Sequence, residues 1–369
     1  MRVRLITLAA SLASALAVSR AYADPMDPAI ERFAHDAVDP TLSCSNAGLY
    51  RPGTRPCVLD ETAFKKLINQ YGFAIAPPAM YPARTTGYGG FQVTVQGAFT
   101  TIDGNADYWQ NGTQGPIDPT TGQYSVQNKS PDKWLQTYAI NVRKGLPLGF
   151  ELGATVGYLA RSSIVIGGAD VRWSLFEGFR RGALGYLPDF AIGGGVRTIT
   201  GTAQFQLTVA TGDAILSKPI PIADTSVLSP YAGYQFLRIF GDSNSVDLTP
   251  RTDAIGHCNY QGQKIPGGFS GDDVDHSKGP YTGQTVCGDE TGQNGSPEDL
   301  SNTRVFQSAR VTRHRLVVGI AYRFEMIVVG GQFVTDVVAP ASANQDKEAA
   351  ALAGVPRQST VGVQVGAAF

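Results

Sequence analysis

The sequence predicts an all-β chain: an antiparallel, up-and-down transmembrane barrel of about ten strands, preceded by a small helical segment. Three observations lead there. Apolar residues recur at every second position over most of the chain after Gly87. Long polar segments alternate with tight joints between the apolar runs. The composition, with 43 Gly and only 17% charged residues, suits strands and turns better than helices.

The first residues carry an export address. Arg2 and Arg4 precede an apolar stretch from Leu5 to Val18, and Ala21-Tyr22-Ala23 supplies small residues at a cleavage site. Residues 1–23 are therefore read as a signal peptide, too short in its apolar part for the ~20 residues of a spanning helix. No later apolar run reaches that length. A barrel strand needs only about 9–11 tilted residues, alternately apolar.

Residues 24–86 form the second unit. Ile30, Phe33, Ala34 and Ala37 recur at helical spacing, as do Phe64, Leu67, Ile68 and Tyr71 after an N-cap at Asp60. Pro77, Pro78 and Pro82 then forbid helix. Such a segment either stays in the periplasm or folds into the barrel as a plug.

Residues 87–369 form the third unit. Strands are expected over 87–102, 134–144, 148–161, 164–177, 189–200, 203–216, 227–240, 304–324, 327–338 and 358–369. Gly212 and Asp213 interrupt the alternation of the sixth and predict a bulge. Segments 103–133, 241–303 and 339–357 are the long loops and fall on one side. Gly145-Leu146-Pro147 and Glu325-Met326 are tight joints on the other. Both ends of the chain are then expected in the periplasm. Tyr158, Trp173, Phe190, Tyr322, Phe324 and Phe369 fall near strand ends, where rings favour the bilayer interfaces.

The chain finishes Gly362-Val363-Gln364-Val365-Gly366-Ala367-Ala368-Phe369. This resembles the C-terminal insertion signal of Gram-negative bacterial outer-membrane β-barrel proteins. Ala367 stands where a second aromatic is usual, whereas Gly319-Ile320-Ala321-Tyr322-Arg323-Phe324 repeats the pattern more fully. The resemblance implies the cell outer membrane, its lipid as surroundings, and the barrel-assembly machinery as a partner that reads Phe369. It names no substrate.

With apolar faces turned to lipid, the lumen would collect Arg143, Arg161, Arg172, Arg197, Arg238, Arg313, Arg315 and Arg323 against Glu151, Asp170 and Asp336. An Arg facing lipid at the midplane costs about 2–4 kcal/mol, which motivates the inward assignment. Two readings follow. In one, the arginines line a narrow pore for small solutes and favour a small anionic solute. In the other, they pair and fill a barrel that does not transport, and the long loops serve adhesion or partner binding.

The four cysteines fall into local pairs, Cys44 with Cys57 and Cys258 with Cys287, which an oxidising compartment would join as disulfides. Catalysis is not expected. His35, His257, His276 and His314 are scattered and sit in no nucleophile–base arrangement. The carboxylates Asp272, Asp273 and Asp275 miss the spacing of a calcium loop, so no metal or other cofactor is expected. A formal net charge of −1 gives no footprint for nucleic acid.

Overall fold

The computed structural model describes residues 24–39, 44, 57–117, 127–177, 187–223, 225–248 and 303–369, with the backbone of 258–260 and 285–287. The signal-peptide reading of residues 1–23, and the side chains of His257, Asp272, Asp273, Asp275 and His276, lie outside them.

All ten expected strands form. They are β1 (Phe91–Thr101), β2 (Trp134–Gly145), β3 (Phe150–Leu159), β4 (Val165–Phe176) and β5 (Asp189–Thr200), followed by β6 (Phe205–Ser217), β7 (Ser226–Ser243), β8 (Ala309–Phe324), β9 (Ile327–Asp336) and β10 (Ser359–Ala368). Each pairs antiparallel with its sequence neighbour, and β10 pairs with β1 from Thr360↔Thr100 to Ala368↔Gln92. Closure removes both sheet edges, so every strand's backbone is paired, as the bilayer interior demands. Strands β7 and β8 run longest, in register from Ser226↔Phe324 to Gly241↔Ala309. On the long-loop side β8 runs beyond β9, whose pairing ends at Arg315↔Asp336, while β7 stays paired with β6 to Ser243↔Phe205.

The alternation has the expected consequence. Val95, Ile140, Val156, Val171, Val196, Val318 and Val363 are exposed on the outer face. Aromatics ring both ends of this belt. Phe150 stacks on Trp173 near the short joints, with centroids 5.4 Å apart, while Tyr138 packs against Tyr158 toward the loops. A closed barrel with an apolar exterior and aromatic margins is the architecture of a protein spanning the outer membrane.

The bulge expected at Gly212 and Asp213 is absent: β6 keeps an unbroken register with both neighbours there. Asp213 points inward to a polar partner, so the polar residue does not signal a kink. Register shifts fall instead between Ser174 and Phe176 and between Ser226 and Val227.

The lumen is filled by the chain's own N-terminal part. Helix α1 (Glu61–Ile75) begins at Asp60, whose side chain accepts from the Ala63 N–H as an N-cap. It is buried along nearly its whole length and touches β1, β2, β6, β7 and β8. Phe64, Leu67, Ile68 and Tyr71 pack against Phe205, Leu237, Ile239 and Val311 of the wall. Two glycines permit the close approach. A Cβ on Gly72 would lie 2.5 Å from Ile239 Cγ2, and one on Gly241 would lie 2.3 Å from Ile68 Cγ2.

Parts of the long loops roof this core. Trp109, on the short helix α2 (Asp107–Gln110), is fully buried and donates its indole N–H to Gln70. Leu352 and Val355, at and beyond the end of α3 (Asp346–Ala351), are buried in the same cluster.

The direction of threading corrects one expectation. Asp24 lies at the long-loop end: the Met26 N–H donates to the Arg161 carbonyl, and Ser163 donates to Asp27. The chain then runs inside the barrel to Thr85 and Thr86 at the short-joint end, where β1 starts. The C-terminus lies on the short-joint side, but residue 24 does not. The N-terminal segment docks on the short turns near 162 and 202 on the long-loop side, through Asp27 with Ser163 and the Ile30 N–H with Gln204.

Candidate functional site

The site of interest is the contact between the barrel wall and residues 73–86. Below α1 the three prolines keep the chain extended, and its carbonyls have no helical partners. Buried carbonyls need donors. The inward faces of the strands supply them. Arg315 of β8 donates to the carbonyls of Phe73 at 3.1 Å and Pro77 at 2.9 Å. Gln235 of β7 adds a bond to Pro77 at 3.2 Å. Gln332 of β9 serves Pro78, and Gln364 of β10 serves Met80 at 2.7 Å. Arg172 of β4 reaches Pro82 at 2.7 Å. The donors thus track the extended segment from one level of the barrel to the next.

Two charged clusters stand within this ladder. Arg313 pairs with Asp336 and donates to Asn69 of α1 at 2.7 Å and Gln358 at 3.1 Å. Both charged groups are almost wholly buried, at 1% and 3% exposure, so their mutual pairing is what makes them tolerable. Lower down, Glu151 pairs with Arg172 and accepts the Thr86 N–H. There the Tyr81 ring is held between two guanidinium groups, with the Arg143 and Arg172 carbons each 4.2 Å from its centroid. Its hydroxyl donates weakly toward Asp213 at 3.4 Å.

The candidate lumen residues therefore divide. Arg143, Glu151, Arg172, Arg197, Arg313, Arg315 and Asp336 are buried on the inner face. Asp170 shares that face and is half-buried, and Arg197 donates to Thr155 at 3.1 Å. Arg323 lies on the inner face at the short-joint rim, exposed, with Nε donating to the Glu325 carbonyl.

Two assignments fail. Arg238 points outward, because Leu237 and Ile239 take the inner face against α1; its guanidinium bonds Thr312 beside Asn344 outside the barrel. Arg161 occupies the β3–β4 turn with a positive φ of 60° and pairs with Asp132 at the loop end.

Sequence reasoning did not single out Tyr81, Asn69, Gln235 or Gln332, and it read Asp213 as a bulge rather than as a lumen group. The proline run was the available signal, since it leaves carbonyls that something must satisfy.

The cavity beside Arg197, Arg315 and Pro78 holds about 20 Å³, room for about one water. Below Tyr81 the barrel opens into a vestibule of about 560 Å³ on the short-joint side. At the opposite end, burial raises the carboxyls of Asp24 and Glu61 above their ordinary range.

The cysteines are also placed. Cys44 and Cys57 form a disulfide with a Cα separation of 6.3 Å. Cys258 and Cys287 face one another in register in a two-stranded ladder; their side chains lie outside the described residues. His35 sits in a short strand opposite Val58, and His314 is on the outer face against Tyr234. Among the described residues no cluster of His, Cys, Asp or Glu could hold a metal ion.

No family profile matches the sequence, and no curated protein matches it. Solved structures of outer-membrane barrels align with it. The attachment invasion protein Ail of Yersinia pestis matches at 10% identity over 76% of this chain and 99% of that one, with a TM-score of 0.23. The N-terminal barrel domain of Pseudomonas aeruginosa OprF matches at 8% over 77% and 99%, with a TM-score of 0.24. Outer membrane phospholipase A of Escherichia coli matches at 8% over 82% and 97%, with a TM-score of 0.27. Similarity this low carries no argument about function. The barrel's own closure and exterior define the class: an outer-membrane β-barrel protein.

Proposed function

We propose that this protein is a sealed outer-membrane barrel that presents its roofed loop end to the outside, and is not a standing diffusion pore. One observation carries the reading. Inward arginines and glutamines are bonded to the carbonyls of residues 73–84, so they hold a plug in place. A pore with an anion preference needs those arginines to face water.

The upper lumen argues the same way. Withdrawing α1 would expose Phe64, Leu67, Ile68 and Tyr71 together with the wall residues they cover. At about 1.5–3 kcal/mol for each large apolar side chain, no small solute could compensate. The roof formed by Trp109, Leu352 and Val355 lies over α1 on the side where segment 241–303 emerges. A packed platform at the loop end suits adhesion or partner binding. The terminal strand ending in Phe369 is the segment the assembly machinery would read, and residues 1–23 are the address that brings the chain there. The reading contains no catalytic step and no cofactor.

Swelling of proteoliposomes tests it. Vesicles carrying the full chain should exclude a small sugar such as arabinose at the rate of protein-free vesicles. Fast swelling would restore the pore. An epitope placed within 241–303 should be detected on intact cells; its detection only after permeabilisation would reverse the presentation.

A further inference from the structure

The vestibule below the plug contains a charge that the plug does not use. Arg143 of β2 is 4% exposed, yet its guanidinium finds no hydrogen-bond acceptor among the described residues. Its Nε is enclosed without a partner. The neighbouring groups are already engaged. The two Nη groups of Arg172 are engaged by the Pro82 and Arg84 carbonyls and by Glu151, and only its Nε lacks a partner. Glu151 is also occupied by the Thr86 N–H, and Glu177 by the Thr85 N–H and hydroxyl.

Arg143 is held in place rather than loose. Its flat face lies on the Tyr81 ring, 4.2 Å from the centroid. Stacking fixes the plane of a guanidinium and leaves its edge, where the N–H groups point, available for a planar acceptor. Gln92 stands directly opposite on β1 and lines the same vestibule, as does Arg323 at the rim. The cavity of about 560 Å³ opens on the short-joint side and admits a molecule of sugar or dipeptide size.

We propose that Arg143 is the anchor of a periplasm-facing binding site for a small polar oxyanion, a carboxylate or a phosphate, seated against Tyr81 with Gln92 beside it. The site needs no passage through the barrel and is independent of what the outer loops bind. The buried guanidinium without an acceptor marks it: a charge taken from water is costly unless an acceptor replaces the water it has lost.

Titration calorimetry on the full-length chain in detergent micelles, at constant ionic strength, tests the site with inorganic phosphate and with acetate as probes. Saturable binding of one ion per chain is expected for at least one probe. Binding of both assigns the site to oxyanions in general; binding of one alone assigns the source as phosphate or carboxylate. R143Q should weaken binding by about tenfold or more, the worth of a lost charge-assisted bond. R238Q, on the outer face, should leave it unchanged. If R143Q does not fold, R143K carries the test, since it keeps the charge and loses the fork; affinity equal to the parent chain would overturn the proposal. So would the absence of saturable binding of either probe to the parent chain.

Discussion

Arg315 of the barrel wall and Pro77 of the N-terminal segment, 238 positions apart in sequence, are joined by a 2.9 Å hydrogen bond inside the lumen. The proline cannot continue the helix above it, and the arginine, with Gln235, supplies its carbonyl with donors that no helix provides. The same guanidinium reaches Phe73 and Gln235, so one side chain ties the last turn of α1, the extended segment and β7 together.

Replacing Arg315 with Met removes these bonds while keeping much of the volume. Two buried carbonyls lose a charged donor, which is expected to cost about 2–5 kcal/mol. Chemical unfolding in detergent should show the loss. The same variant in planar bilayers should give brief openings as the plug loosens. A variant as stable as the parent would show that the ladder does not hold the plug.

Gly72→Ala sets two effects against each other. In an exposed helix the change would stabilise by about 1 kcal/mol. Here the new methyl would meet Ile239 Cγ2 at 2.5 Å, and overpacking of this kind costs about 1–3 kcal/mol. Net destabilisation is expected, with recovery when Ile239→Ala is added. A thermal-melting double-mutant cycle reads the coupling, and additive effects would contradict a close seat for α1.

The barrel was largely legible from period two alone, because each strand buries one face and offers the other to lipid. Asp189–Thr200 and the start at Trp134 fall where the alternation places them. The lumen was harder to read for a physical reason. Alternation says that Arg313 and Arg315 point inward and says nothing of what meets them. Their partners Asn69 and Pro77 are distant in sequence and belong to a segment with a different period. Asn69, Gln70 and Lys65 occupy a helix that is buried on all sides, and the helical spacing of its apolar residues says nothing of what covers its polar ones. Arg238 misled because Tyr234, Phe236 and Phe240 share its parity; the aromatics faced lipid, and the arginine lies beyond the apolar belt on the same outer face.

The threading direction predicts an accessible N-terminus. An epitope tag inserted after residue 23 should bind antibody on intact cells, since Asp24 sits beside the turn at Arg161 and Ser163. A tag detected only after permeabilisation would mean that the segment enters from the periplasm and that the plug is threaded the other way.

Cys258 and Cys287 are expected to be joined. Directly opposed residues of an antiparallel pair have Cα atoms about 4.5–5.5 Å apart, within disulfide reach. The bridge would close about half of the longest loop and contribute about 3 kcal/mol to the ordering of that loop. Mass spectrometry of a non-reduced digest should recover the linked peptides alongside those of Cys44 and Cys57. Alkylation of Cys258 without prior reduction would refute the pairing.

Single-channel recording on the full chain in planar bilayers is the most direct test of a sealed barrel. The wall donors, the buried helix and the small residual cavity all predict a silent membrane at modest voltage in molar salt. Deletion of residues 24–86 from a chain that still folds should produce steady openings through the vacated lumen. A stable, long-lived conductance from the intact chain would contradict the account, because ions would then be passing where Arg315, Arg313 and Arg172 are held to the plug.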